Sequence, residues 1–144
     1  MDCFEVYTDG AARGNPGQSA SGFSIYKNDI LIKKFLKFNN IKTNNYAEYN
    51  AIILALVWCS KNLRQEDTIK FYSDSELVVN QINQRFKIKA KHLIKLFNRV
   101  NELKKHFENI SFIHVNRANQ KISLVDKSLN QFLDRIARKQ NQIN

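Results

Sequence analysis

YAEYNAIILALVWCSKNLRQEDTIKFYSDSELVVNQINQ, residues 46–84, carries the change of period on which the fold turns. Tyr46 to Ser60 is rich in Ala and Leu, with small or apolar residues at Ala47, Ala51, Ala55 and at Leu54, Trp58, so it reads as a helix buried on most of its circumference. Thr68 to Ser73 is a short β-branched and aromatic run, the mark of a strand. Ser75 to Gln84 returns to helical spacing, with Leu77, Val78, Gln81 and Ile82 inward. Helix, strand and helix in succession imply parallel neighbours joined by crossovers.

Upstream, Cys3, Glu5 and Tyr7 alternate with Phe4, Val6 and Thr8, so residues 3–8 form a strand, which DGAARGNPG (9–17) then interrupts as a turn-rich loop. Phe23 to Tyr26 and Ile30 to Phe38 read as two more strands joined by the polar turn Lys27, Asn28, Asp29, completing a three-strand meander before the polar stretch Asn39 to Asn45. Downstream, Leu93, Leu96, Phe97, Val100, Leu103 and Phe107 recur at spacings of three and four, an amphipathic helix. Ile110 to Val115 is the fifth strand and Leu124 to Ala137 the last helix. The order βββαβααβα predicts an α/β domain, a mixed five-stranded sheet flanked by helices, over residues 1–144. The tail 138–144 is polar enough to fray.

The composition suits one folded core, with 43% hydrophobic and 25% charged residues. Lys and Arg number 23 against 13 Asp and Glu, a net charge of +10. Such an excess favours a polyanionic partner, although a solvated basic surface or the Lys and Asn bias of an AT-rich genome accounts for it equally. Cys3 and Cys59 show no metal-binding or disulfide spacing and are expected to be buried thiols in a reducing compartment. The longest apolar run, Ala51 to Cys59, falls far short of the roughly 20 residues that span a bilayer, so a soluble, cytoplasmic protein with no membrane partner is expected.

The chain has 4 glycines and 1 proline, and Gly10, Gly14, Pro16 and Gly17 all follow the first strand. They suit either a tight hairpin connection or a backbone that must approach a ligand. Acidic residues recur nearby in the expected fold. Asp9 ends the first strand and Asp74 the fourth, and ligand sites lie beyond the carboxyl ends of parallel strands. Glu48 sits in the apolar helix, where it is either a first-turn glutamate favoured by the helix dipole or a buried carboxylate that needs a cation. Asp126, in SLVDKSLNQFLD (123–134), fits a capping box with Ser123 at the start of the final helix, or a fourth member of an acidic group.

Four gathered carboxylates repel each other unless cations neutralise them. Oxygen-only donors point to Mg²⁺, with Mn²⁺ as a substitute, rather than to zinc. Two such ions about 4 Å apart can activate a water and stabilise a leaving oxygen in phosphodiester hydrolysis.

YTDGAARGNPG (7–17), TNNYAEYNAI (43–52), FYSDSELVVNQI (71–82) and VDKSLN (125–130) resemble, in order, the four acidic motifs of the type 1 ribonuclease H family. The resemblance implies a ribonuclease H-like fold and an endonuclease that cuts the RNA strand of an RNA/DNA hybrid, leaving 3′-hydroxyl and 5′-phosphate ends. It further implies that Asp9 bridges two ions, that Glu48 and Asp74 hold one, and that Asp126 helps to hold the other. The positions matching substrate contacts are Gly10, Ala12, Gly14, Asn15, Thr43, Asn44, Asn45 and Ser75, with Glu48 also able to accept from a 2′-hydroxyl. Such contacts address backbone and shape rather than sequence. No obligate protein partner is implied, and a monomer is expected.

Two departures from the family pattern stand out. The basic stretch Arg85 to Lys105 lacks the tryptophan-rich handle of some relatives and resembles the handle-less form. Asn119 precedes Asp126 by seven residues where the family commonly has four, which suggests a loop lengthened by about three residues; that loop holds no histidine, and His114 is expected to end a strand. The alternatives are a non-cleaving nucleic-acid binding module of the same fold and a superfamily nuclease acting on DNA.

Overall fold

The computed structural model describes residues 2–143. Its strands are β1 (Cys3–Gly14), β2 (Gly17–Lys27), β3 (Ile30–Lys42), β4 (Thr68–Ser73) and β5 (Asn109–His114). The helices are α1 (Asn44–Asn62), α2 (Glu76–Ile82), α3 (Lys91–Lys104) and α4 (Gln120–Ile143). The order βββαβααβα is the expected one, and the strands lie in one sheet as β3-β2-β1-β4-β5. β1 pairs antiparallel with β2 and parallel with β4, and β4 pairs parallel with β5.

Each face of the sheet supports its own apolar layer. Phe4, Val6, Phe23 and Ile25 point towards α1 and α3, where they pack with Tyr49, Ile52, Leu56 and Val100. Tyr7, Ala20 and Tyr26 point the other way and meet Ile122, Val125, Leu129 and Leu133 of α4. The period-2 alternation of β1 thus feeds both layers. α4 is also tied to the β1–β2 hairpin by polar contacts: Arg13 Nη1 lies 2.6 Å from Asp134 Oδ1, and Arg13 Nη2 donates to the Asn130 carbonyl at 3.0 Å.

Several boundaries differ from the sequence reading. The glycine segment is no loop, because β1 continues through it and pairs with β2 as far as Gly14 opposite Gly17, leaving only Asn15 and Pro16 to turn. Gly, Ala and Ser carry little strand propensity, yet here the backbone pairing decides, and thin side chains let helices press close. β3 runs on to Lys42, and α1 starts at Asn44 with Thr43 as its cap, the Thr43 hydroxyl accepting from the Tyr46 amide at 3.1 Å.

α4 begins at Gln120, ahead of the expected Leu124, because Asn119 caps it, its Oδ1 accepting from Lys121 N at 3.0 Å and Ile122 N at 3.1 Å. The residues between Asn119 and Asp126 are therefore helix rather than a lengthened loop, and the Ser123–Asp126 capping box does not form. The same helix continues through Arg138 to Ile143, the stretch whose polarity suggested fraying, and the Gln18 side-chain amide donates to that of Gln140. Leu77, expected inward, is exposed, while Gln81 is buried and accepts from the Tyr49 hydroxyl at 2.7 Å. Cys59 is buried as expected, but Cys3, at the open start of β1, is exposed. No helix among the described residues is long and apolar enough to cross a membrane.

Candidate active site

Strand register brings the first two acids together. The last parallel pair between β1 and β4 is Tyr7 with Tyr72, so Asp9 and Asp74 each stand two residues beyond it, Asp74 just past the end of β4 and Asp9 not at the end of β1, as expected, but within it, where the strand runs on paired with β2 alone. Glu48 arrives from α1. Counting from the Thr43 cap, it lies in the second turn, and the first turn holds no acidic residue, so the dipole account of this glutamate falls. What seats it is Gly10, whose missing Cβ would stand 2.3 Å from the Ala47 carbonyl carbon and 2.4 Å from the Glu48 nitrogen.

The result is a group in which one carboxylate oxygen each from Asp9, Glu48 and Asp74 lies within 4.8 Å of the others. Asp126 does not join that group. It sits half-buried on α4, near enough that its charge disfavours ionisation of Asp9.

Burial holds the Asp9 carboxyl above its usual range, with the charge of Asp74 adding to the effect, and pushes it up to about 8; a bond from the Gly10 amide, 3.0 Å away, opposes the rise. Burial raises Glu48 well above the ordinary glutamate range too, reinforced by the charges of Asp9 and Asp74. Neither acid has a basic partner among the described ion pairs, and no N–H or hydroxyl reaches the buried Glu48 Oε2, which leaves a proton shared with Asp9, or a cation, to satisfy it. Once ionised, an oxygen so placed in an all-oxygen cluster calls for a cation. Metal–oxygen bonds of about 2.0–2.6 Å place two oxygens on one hard ion no more than roughly 5 Å apart, so the three residues fit a divalent cation.

The cleft around the carboxylates, of roughly 350 Å³, is lined by Gly10, Asn44, Asn45, Glu48, Asp74, Ser75 and Arg117. Four of the expected substrate positions, Gly10, Asn44, Asn45 and Ser75, are therefore beside the acids. Asn44 knits the hairpin to α1: its Oδ1 accepts from the Ala12 amide at 3.0 Å and its own amide donates to Asn15 Oδ1 at 3.1 Å. Ala12 and Asn15 thus spend polar groups internally, and the hydroxyls of Thr43 and Ser75 cap α1 and α2. Gly14 holds φ at +99°, a conformation that side chains rarely adopt, at the hairpin end. Arg117 was not anticipated. It sits in the connection from β5 to α4 with Nε 3.7 Å from Asp74 Oδ2, and the only signal was a lone cation in HVNRANQ (114–120) ahead of an acidic motif.

Next to this cleft, a groove of roughly 750 Å³ separates the hairpin turn and the start of α1 from α3. Its lining pairs apolar Pro16, Ile41, Tyr46 and Leu96 with basic Lys42, Lys91 and Lys95. Not every lysine or arginine of the basic stretch is free, since Arg99 pairs with Glu102 at 3.6 Å and Lys104 lies over the Phe112 ring.

A family model described as reverse transcriptase-like matches residues 7–125, which includes the three clustered acids and stops one residue short of Asp126. A bifunctional protein of Mycobacterium tuberculosis is 31% identical over 92% of this chain, and the chain spans 36% of that protein's length. Its N-terminal RNase H domain, solved as a maltose-binding protein fusion, superposes with a TM-score of 0.87 at 29% identity, covering 96% of this chain and 99% of that one. RNase H1 of Halobacterium salinarum gives a TM-score of 0.83 at 32% identity, over 92% of this chain and 98% of the other. LC11-RNase H1, isolated from compost and solved with an RNA/DNA hybrid, gives 0.75 at 30% identity, over 90% and 99% of the two chains. With its sheet order, its acidic cluster and these likenesses in agreement, the chain belongs to the type 1 ribonuclease H family.

Proposed function

We propose that this chain is an endonuclease that hydrolyses the RNA strand of RNA/DNA hybrids at the Asp9, Glu48 and Asp74 cluster. The observation that carries the reading is the meeting of three carboxylates within 4.8 Å, one of them with a buried oxygen that no N–H or hydroxyl of the described residues reaches. The relatives named RNase H, and the one solved with a hybrid, support the choice of substrate.

In this reading Asp9, Glu48 and Asp74 hold divalent cations, Mg²⁺ with Mn²⁺ as a substitute, and Asp126 assists from α4. Bound there, a pair of such ions supplies Lewis acidity and neutralises charge on the attacking and leaving oxygens. The chain's own part is to fix the oxygens in place. Asp9 and Asp74 are set by strand register, and Glu48 is set by its close seat over Gly10. A water oxygen bonds to phosphorus as the bond from phosphorus to the 3′ oxygen breaks and that oxygen takes up a proton. The products carry 5′-phosphate and 3′-hydroxyl ends.

Asn44, Asn45 and Ser75, beside the acids, face the minor groove and its 2′-hydroxyls, while Lys42, Lys91 and Lys95 line the path of the other strand's phosphates. The net charge of +10 draws the duplex in without reading its sequence. The protein works as a soluble cytoplasmic monomer.

The test is to incubate labelled RNA/DNA hybrid, single-stranded RNA and DNA duplex side by side with Mg²⁺ or Mn²⁺. Cleavage of the RNA within the hybrid, with the other two left largely intact, is the expected result. Uncut hybrid under both metals would favour a binding module, for which the position of Asp126 outside the close group is the argument. Cut DNA duplex would favour a DNA-acting nuclease.

A further inference from the structure

We propose that Arg117 is an exchangeable counter-ion: it neutralises Asp74 in the free protein and transfers to a substrate phosphate when a divalent cation takes its place. This rests on the reading that the carboxylates bind cations and hybrid. Among the described residues, Asp74 is the one member of the close group with a basic partner, since Arg117 Nε lies 3.7 Å from its Oδ2. The distance is an ion pair's but exceeds that of a hydrogen bond, so no geometry locks the two together.

The exposures of the partners are unequal. The Asp74 side chain is 11% exposed and that of Arg117 is 88% exposed, a long arm in water laid over a nearly buried anion. Pairs with one solvated partner contribute little to stability, so releasing the guanidinium costs little. Its backbone is steadier than its side chain. Asn116 Oδ1 accepts from the Ala118 amide at 2.8 Å, and Asn119 caps α4, so the connection is pinned on both sides of Arg117.

A divalent cation on Asp74 would stand within a few ångströms of the guanidinium, and like charges so placed exclude one another. Arg117 is the only cation lining the cleft among the described residues, and a nucleic-acid phosphate would be the nearest new anion. Guanidinium groups match phosphate oxygens in pairs, which a lysine cannot do. The exchange leaves every charge partnered: Asp74 passes from arginine to metal as the phosphate receives the arginine.

The experiment compares wild type with Arg117→Gln and Arg117→Lys in two titrations that need no turnover. In the first, Mn²⁺ binding to the free protein is measured by calorimetry. Arg117→Gln should bind Mn²⁺ about two- to fivefold more tightly, the size an exposed pair supports. In the second, hybrid affinity is measured with Ca²⁺, a hard divalent ion that takes the same oxygen donors, so that Asp74 has already given up the guanidinium. Arg117→Gln should bind the hybrid severalfold more weakly, and Arg117→Lys should recover part of that loss. Unchanged or weaker Mn²⁺ binding by Arg117→Gln would overturn the pairing with Asp74, and unchanged hybrid affinity would overturn the transfer to phosphate. If wild type failed to bind hybrid at all, the substrate assignment would fall, while the Mn²⁺ comparison would still decide the counter-ion role.

Discussion

Gly10 and Glu48 share a space that admits no side chain between them: a Cβ on Gly10 would approach the Glu48 nitrogen to 2.4 Å. This contact, between the middle strand and the second turn of α1, sets how far the glutamate reaches towards Asp9. Gly10→Ala forces the helix away, because the atoms met are backbone and cannot rotate aside. We expect a loss of about 1–3 kcal/mol in chemical denaturation, typical of overpacking, and a larger proportional fall in hybrid cleavage. Full activity with unaltered stability would show that the helix has room to move.

Asp9→Asn and Asp74→Asn keep the shape of the cluster and remove a charge that holds a cation. Each should lower the cleavage rate by about a hundredfold or more, the scale of losing one group that stabilises the transition state, while hybrid binding by gel shift survives. Asp126→Asn should do less, and excess Mg²⁺ should restore part of its rate, because Asp126 stands outside the close group. Retained cleavage in the Asp9 or Asp74 variant would reject the assignment of those ligands.

The gathering of Asp9, Glu48 and Asp74 was legible before any coordinates, and for physical reasons. Strand and helix periods place Asp74 at the end of β4 and Asp9 just past the apolar part of β1, where its pairing with β4 stops, and the one acid in an otherwise apolar helix marks Glu48 as out of place unless it has work to do. Less could be read where side chains do not speak for the backbone. Gly10, Ala11, Ala12 and Gly14 look like a loop, and their strand pairing comes from β2 alongside them. Gln120, Lys121 and Ser123 look like a polar connection, and only the Asn119 cap shows that α4 has begun. The ion pair of Arg117 is a property of where the connection folds back, which no local pattern records.

The raised carboxyl groups give the metal-free protein a pH dependence whose sign is fixed. Asp9 titrates at about 8 when folded and near 4 when unfolded, so the folded state binds the extra proton between those values. Its stabilising contribution is fully present below about pH 4 and is lost as pH rises towards about 8. Glu48, raised in the same direction, adds to the trend. Melting in EDTA should therefore show stability falling across this window, and Mn²⁺, which competes with the same protons, should bind more tightly at pH 8 than at pH 6. Mn²⁺ affinity independent of pH would contradict the buried, proton-sharing cluster.

Lys121 is a second test of the packing around α4. It lies in the first helical turn, where a cation opposes the helix dipole, yet its Nζ sits 4.5 Å from the Tyr26 ring centre and 5.5 Å from that of Tyr7. Asp29 accepts from it at 2.8 Å and Glu5 lies 3.7 Å away. Lys121→Met keeps the stem and removes the charge. Partly exposed cation–π contacts and ion pairs of this kind contribute up to about 1 kcal/mol each, so a net loss of about 1–2 kcal/mol in urea unfolding is expected. No change would mean that the apolar stem alone holds α4.

The proposed activity depends on Asp9, Glu48 and Asp74 forming a cation site. Crystals soaked in Mn²⁺ and measured for anomalous scattering test it without reference to any substrate. A peak in bonding distance of all three carboxylates is expected in the wild type, and its loss in Asp74→Asn. A wild-type crystal with Mn²⁺ bound elsewhere and none at these three side chains would contradict it.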